Sequence, residues 1–258
     1  MPNVLVRVLS FVFAVSWLIP PGWGAVDLGV TWDADWETIL EGSWGLFFTV
    51  GTALPFVVIG CLPRRAGAAL SQLWLVAMAL LAGLVLGGQW HGLWMVALLI
   101  VEILLVSFGR QRERWLPFDL APAPALLALA AVGAVPWLVH SWGVARLTDD
   151  LLVPHDLTNE IDHYAVHASF AIAMVALPTV AGLWRRGRRL LAASAGISGI
   201  YFTVLCLAWP DKAAALDRGW AVAGLAWSVA VLALGLWVRP GVGRVDAALA
   251  MQVTRPAS

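Results

Sequence analysis

The sequence predicts an all-α membrane protein with about eight transmembrane helices, arranged as a 4+4 parallel internal repeat. Three observations predict this class. Hydrophobic residues make up 61% of the 258 residues and charged residues only 12%, which leaves more apolar surface than a water-soluble domain of this length can bury. The apolar residues lie in runs of about 20, the length that a helix needs to cross the hydrocarbon of a bilayer. The chain also resembles itself at a spacing of about 120 residues.

Eight apolar segments are predicted to cross the membrane, each about 17–25 residues long. The first also resembles a signal peptide, because Arg7 precedes an apolar stretch that ends in small residues after Trp23. We expect it to be retained, since it is similar to the fifth segment, which is embedded in the chain and cannot be a leader. The predicted spans are 4–23, 42–62, 67–87, 92–109, 120–142, 163–184, 189–209 and 219–238.

Two blocks of sequence carry the internal similarity. Residues 16–24 are echoed by 136–143, and residues 33–55 align without a gap on 156–178, at spacings of 120 and 123 residues. Each half then contains an even number of spans, so the two halves share one orientation and are related by a pseudo-twofold axis along the membrane normal. We expect the halves to be 1–115 and 116–240, followed by a disordered cytoplasmic tail, 241–258.

The basic residues predict the orientation, because short loops rich in Lys and Arg stay on the cytoplasmic side. Of the 16 basic residues, 13 fall on one side of the predicted membrane, and the others are Arg146, Lys212 and Arg218. Both termini are therefore expected in the cytoplasm, and the protein in the cytoplasmic (inner or plasma) membrane. Most acidic residues and all five histidines are expected on or near the outer face.

Three of these histidines occur in the segment 154–167. A helix beginning at about Asp156 would place Asp156, Glu160, His163 and His167 on one face, at i, i+4, i+7 and i+11. Carboxylate oxygen and imidazole nitrogen together suit Zn²⁺, Mn²⁺ or Fe²⁺. The predicted metal ligands are Glu160, His163, His167 and His140, and the predicted surrounding pocket contains Asp156, Asp162, His91, Asp33 and Glu37.

A purely structural interpretation of the same segment stays open. Asp156 is a good N-cap, and acids are favourable in the first turn of a helix. The first copy of the repeat keeps the acids but has Leu40 and Trp44 where the second copy has His163 and His167. A shared helix start therefore explains the acids and leaves the histidines unexplained.

Glu102 is an acid inside an apolar run of a predicted span. A carboxyl group in the membrane is costly, so it indicates either a functional site or a hydrogen bond to a neighbouring helix. The sequence does not decide between these two roles.

No motif in the sequence names a reaction: HExxH, GxSxG and P-loop patterns are all missing. The net charge is zero and no basic tract is interleaved with aromatics, so nucleic-acid binding is not indicated. The bilayer is the expected partner. We expect an outward-facing Asp/Glu/His pocket that binds a divalent metal ion such as Zn²⁺ or a small polar group. Three alternatives remain: a membrane-embedded metal-dependent hydrolase or transferase acting on lipid, a small-solute or proton-coupled transporter that uses Glu102, and a non-catalytic membrane partner protein.

Overall fold

The computed structural model describes residues 4–108 and 120–237 of the chain. The expected all-α membrane class is confirmed: within these residues, seven helices are long and apolar enough to cross a membrane. An eighth apolar helix, Val4–Leu18, has 15 residues and is shorter than the others. The predicted tail 241–258 lies outside the described residues. The seven long helices are Thr38–Cys61, Pro63–Leu86, Trp90–Phe108, Pro124–Asp149, His163–Leu183, Arg188–Ala208 and Arg218–Trp237.

Ten α-helices and one short β-hairpin make up the described fold. The hairpin consists of β1 (Leu157–Thr158) and β2 (Ile161–Asp162). The helices are α1 (Val4–Leu18), α2 (Gly24–Val30), α3 (Thr38–Leu46), α4 (Leu54–Cys61), α5 (Ala66–Leu86), α6 (Leu93–Phe108), α7 (Pro124–Ala145), α8 (His163–Leu183), α9 (Arg188–Ala208) and α10 (Arg218–Trp237).

A π-helical segment, Phe47–Ala53, joins α3 to α4 in one continuous span. It ends just before Pro55, which has no N–H group to donate to the preceding turn. The side-chain amide of Gln72 in α5 donates to the carbonyl oxygens of Val50 at 2.9 Å and Gly51 at 3.3 Å. A neighbouring helix therefore supplies hydrogen bonds where the wider turn and the proline disturb those of the span.

Four spanning segments form the centre of the bundle: α3–α4, α5, α8 and α9. On one side α1 and α6 pack against them, and on the other side α7 and α10 do so. Small residues permit close approach of these helices. A Cβ atom added to Gly83 of α5 would lie 2.5 Å from the carbonyl oxygen of Ala165 in α8, and one added to Gly133 of α7 would lie 2.5 Å from the indole of Trp227 in α10.

The prediction that a helix begins at about Asp156 is wrong. Residues 157–162 form the hairpin, with Leu157 opposite Asp162 and Thr158 opposite Ile161. The two turn residues, Asn159 and Glu160, have φ of 55° and 64°, as a two-residue hairpin turn of the mirror-image type requires. The helix begins instead at His163, where the carboxylate of Asp162 accepts a hydrogen bond of 2.9 Å from the backbone N–H of Tyr164.

This change separates the four residues that were expected on one helical face. Asp156 and Glu160 precede α8, whereas His163 and His167 lie one turn apart within it. The polar segment forms a hairpin because two contacts hold its turn. The side-chain amide of Asn159 donates to the carbonyl oxygen of Pro21 at 2.8 Å, and His91 Nε2 bonds to the carbonyl oxygen of Glu160.

Candidate functional site

Carboxylates and a histidine meet where α3 and α8 begin. Glu41 comes from the first turn of α3, Asp156 from the loop before β1, and His163 is the first residue of α8. One ligand atom from each of these three lies within 4.8 Å of the others. Asp27 in α2 joins them, because its carboxyl interacts with those of both Glu41 and Asp156. We call these four residues the acidic cluster.

Three residues of the acidic cluster are buried, whereas Asp156 is partly exposed, with 26% of its side chain accessible. Asp27 is 6% exposed, Glu41 is 3% exposed and His163 is fully buried. Burial raises the pKa of Asp27 far above its ordinary value, the negative charge of Asp156 raises it further, and the contact with Glu41 partly opposes this. Three carboxylates so close together repel one another, and buried charges are costly unless they are compensated. Either a bound cation or shared protons must therefore offset their charge.

The ring of His163 is oriented from two sides. It stacks on the indole of Trp44 with ring centroids 4.3 Å apart, and its Nε2 atom lies 2.8 Å from the hydroxyl oxygen of Thr158. Its Nδ1 atom lies 4.0 Å from Asp156 Oδ2 and, among the described residues, has no hydrogen-bond partner. Asp27 Oδ2 is buried and likewise unpaired. With its proton on Nε2 and donated to Thr158, His163 would present a lone pair on Nδ1 to the carboxylates, as metal-binding histidines do.

His140 and His167 form a second histidine pair, separate from the acidic cluster. Their Nε2 atoms are 2.8 Å apart, so one imidazole donates and the other accepts. His167 is fully buried and packs against Phe202, with ring centroids 5.2 Å apart. His140 also borders a cavity of about 540 Å³ between α7 and α10, whose aromatic lining consists of Trp137, Trp220 and Trp227.

The other predicted pocket residues have different contacts. Glu160 is exposed at the hairpin turn, where its backbone carbonyl bonds to His91. Asp162 caps α8 and also bonds to His155, with its Oδ2 atom 2.5 Å from Nδ1 of that ring. Asp33 is exposed and accepts from the backbone N–H of Asp35 at 3.1 Å. Glu37 precedes α3 as its N-cap residue, without a side-chain capping bond.

The structure therefore divides the predicted metal-binding set into two. It joins His163 to Asp156 and His140 to His167, and it places the side chain of Glu160 at neither site.

Two residues of the acidic cluster, Glu41 and Asp27, were not predicted as site residues. They were counted among the acids of the outer face and were given no role. The signal for Glu41 was its place in the first turn of a long apolar helix. Nothing local in the sequence marked Asp27.

Glu102 is hydrogen-bonded to another helix, which was one of its two expected roles. The indole N–H of Trp17 in α1 donates to Glu102 Oε2 in α6 at 2.6 Å. Both side chains are buried. This bond joins the shorter first helix to the bundle.

No protein-family model matches the chain, and no curated protein or solved structure matches it either. Any functional assignment therefore depends on the geometry of these side chains.

Proposed function

We propose that the acidic cluster binds one divalent metal ion, with Zn²⁺ the favoured ion. The observation that carries this proposal is the meeting of Glu41, Asp156 and an unpaired imidazole nitrogen of His163 within 4.8 Å, where Glu41 and His163 are buried and Asp156 is partly exposed. A divalent ion would offset the mutual repulsion of the carboxylates and occupy the lone pair of Nδ1. Oxygen and nitrogen ligands in this mixture suit Zn²⁺, Mn²⁺ and Fe²⁺.

The cluster, we propose, faces the outside of the cell. Glu41 and His163 stand at one end of their helices, and Arg64, Arg65 and Arg185 follow the other end. Arginine-rich short loops favour the cytoplasmic side. With α1 as an eighth crossing, both termini would be cytoplasmic.

The cluster would also lie between two related halves of the chain. Several features support the repeat: α5 and α9 both have 21 residues, α1 packs on α4 as α7 packs on α8, and α5 packs on α6 as α9 packs on α10. Asp27 and Glu41 come from the first half, and Asp156 and His163 from the second. Metal binding would then link the two halves.

Metal analysis of the purified protein tests the proposal. The purified protein is dialysed against a low, fixed concentration of free Zn²⁺. We then expect elemental analysis to find one metal ion per wild-type chain. Replacing a ligand in Glu41→Gln or His163→Gln should weaken binding by at least about tenfold. Glu37→Gln is the matched control, because it removes the same charge one turn before Glu41 outside the cluster. His140→Gln alters only the second histidine pair, so its metal content shows whether the ion binds there or at the acidic cluster.

Two results would overturn the proposal. One is a wild-type protein that binds none of Zn²⁺, Mn²⁺ or Fe²⁺ at submillimolar concentration. The other is an equal loss of metal in Glu37→Gln and Glu41→Gln, which would indicate nonspecific binding to surface acids. Thermal unfolding of each variant without metal checks that it is folded.

A second candidate function, metal-dependent chemistry on a membrane lipid, is favoured by the cavity beside His140. The cavity lies between α7 and α10, and an apolar chain of a lipid fits its aromatic lining. His167 belongs to the same helix as His163, one turn farther on. Lipid hydrolysis by the Zn²⁺-loaded protein would support this second function if it is lost in Ala223→Trp, where the indole fills the cavity. Unchanged lipid after prolonged incubation would exclude it for the lipids assayed.

A further inference from the structure

Five arginines surround a small cavity at the end of the bundle opposite the acidic cluster. The cavity has a volume of about 150 Å³ and is lined by Arg65, Arg185, Arg186, Arg188 and Arg189, with Ala68 and Leu190 completing its wall. We call it the arginine pocket. None of the described lining residues is acidic, and no acid of the described residues forms an ion pair with these guanidinium groups.

Arg188 has a structural role in the pocket. It is 5% exposed, its Nε donates to the carbonyl oxygen of Ala181 at 3.1 Å, and its Nη2 donates to the carbonyl oxygen of Ala121. The other four arginines are exposed and have no such partners among the described residues. No described residue occupies their donors, which can therefore bind a ligand.

The first turns of two helices add to the positive potential. Arg65 immediately precedes α5, and Arg188, Arg189 and Leu190 are the first residues of α9. Neither helix begins with a side-chain capping bond. The free N–H groups of a first helical turn carry partial positive charge and favour anions. Like charges at this density repel one another unless an anion compensates them.

We infer that the arginine pocket binds a phosphate group. A tetrahedral anion matches the planar forks of several guanidinium groups, each able to donate two parallel hydrogen bonds. The cavity has room for a phosphate group and is too small for a nucleotide. Two sources supply this chemistry: the headgroup of an anionic phospholipid and free inorganic phosphate. The pocket lies at the ends of helices long enough to span the membrane, where basic pockets meet lipid headgroups.

Two binding measurements distinguish the sources. Native mass spectrometry of the detergent-purified protein, titrated with phosphatidylglycerol or with phosphatidylcholine, reports on lipid headgroups. Calorimetric titration with inorganic phosphate reports on the free ion. Arg65→Gln and Arg186→Gln each remove a pocket charge, and Arg64→Gln is the matched control because it removes the neighbouring charge outside the lining.

We expect phosphatidylglycerol to bind the wild-type protein at least about tenfold more tightly than phosphatidylcholine, and Arg65→Gln or Arg186→Gln to abolish that preference. Arg64→Gln should keep it. If inorganic phosphate binds the wild-type protein and Arg64→Gln but not Arg65→Gln or Arg186→Gln, the result would support the site and identify free phosphate as its ligand. Equal lipid preference in all variants, together with no phosphate binding, would overturn the inference. Metal content reports on the acidic cluster separately, so the two proposals fail independently.

Discussion

The hydroxyl group of Ser194 donates a hydrogen bond of 3.0 Å to the side-chain oxygen of Gln72. Each of these residues is the seventh of a 21-residue helix, Gln72 in α5 and Ser194 in α9. In the proposed repeat these two positions are equivalent, and equivalent positions that contact each other must lie near the twofold axis, so this bond would mark where that axis passes. The amide nitrogen of Gln72 also bonds to the carbonyl oxygens before Pro55. One side chain thus joins the central helices and supports the π-helical segment.

We expect Gln72→Leu to destabilise the protein by about 1–3 kcal/mol, because it leaves buried carbonyl oxygens without a donor. Ser194→Ala should cost less, about 0.5–1.5 kcal/mol, since only one neutral hydrogen bond is lost. Denaturant unfolding in a defined detergent measures both. If Gln72→Leu were as stable as the wild type, the amide would have no part in supporting the π-helical segment.

Zn²⁺ affinity is expected to rise with pH in the neutral range, because the raised pKa of Asp27 keeps this carboxyl protonated unless a metal ion displaces the proton. Calorimetry at several pH values should show proton release on binding. Asp27→Asn should bind more weakly and with a flatter pH profile. An unchanged profile in Asp27→Asn would show that Asp27 is not among the titrating ligands.

The metal-free protein should respond to pH in the opposite sense. A carboxyl whose folded pKa is raised contributes stability that is fully present below its unfolded pKa of about 4 and is lost as pH rises through the folded pKa. Adding Zn²⁺ at 100 times its dissociation constant should raise the free energy of unfolding by about 2.7 kcal/mol. Unfolding curves with and without metal, recorded across this range, measure both effects.

His155 is expected to hold its proton more tightly than a free histidine. Its Nδ1 faces Asp162 Oδ2 at 2.5 Å and its Nε2 faces the carbonyl oxygen of Asp150 at 2.8 Å, and both oxygens can only accept. The bond to Asp162 raises the pKa of His155 most, and the bond to Asp150 raises it further. The stability from this pair is fully present below the unfolded pKa of about 6.5 and is lost as pH rises through the folded value.

His155→Gln should remove that pH-dependent part of the stability while leaving Asp162 to cap α8. Since the ring is partly exposed, the effect should be small. Titration of the ring by NMR gives its pKa directly. A value at or below about 6.5 would contradict the double-donor geometry.

Glu102→Gln should be nearly neutral for stability, because the amide oxygen can still accept from the indole of Trp17. Glu102→Leu leaves a buried N–H group without a partner and should cost about 1–3 kcal/mol. Trp17→Phe combined with Glu102→Leu should cost less than the sum of the two single changes. If uptake driven by a pH gradient were found in vesicles and lost in Glu102→Gln, a coupling role would replace the structural one.

The helices follow closely from the sequence alone. Predicted spans 163–184 and 189–209 correspond to His163–Leu183 and Arg188–Ala208. The reason is local: an apolar run of membrane length can satisfy its backbone hydrogen bonds only within itself, so composition alone indicates a helix. His163 and Asp156 do lie close together, but the hairpin brings them there and not the helical spacing that was predicted.

Tertiary structure decided the hairpin and the rest of the candidate site. A short polar segment such as 156–162 can begin a helix or form a turn, and contacts from His91 and Pro21, distant in the chain, hold it as a turn. Glu41 reaches His163 because α3 packs beside α8, and Asp27 joins the acidic cluster because α2 packs on α3. Apolar periodicity and loop charge are encoded within a few turns of chain, whereas the meeting of buried carboxylates depends on how helices from distant parts of the sequence pack together.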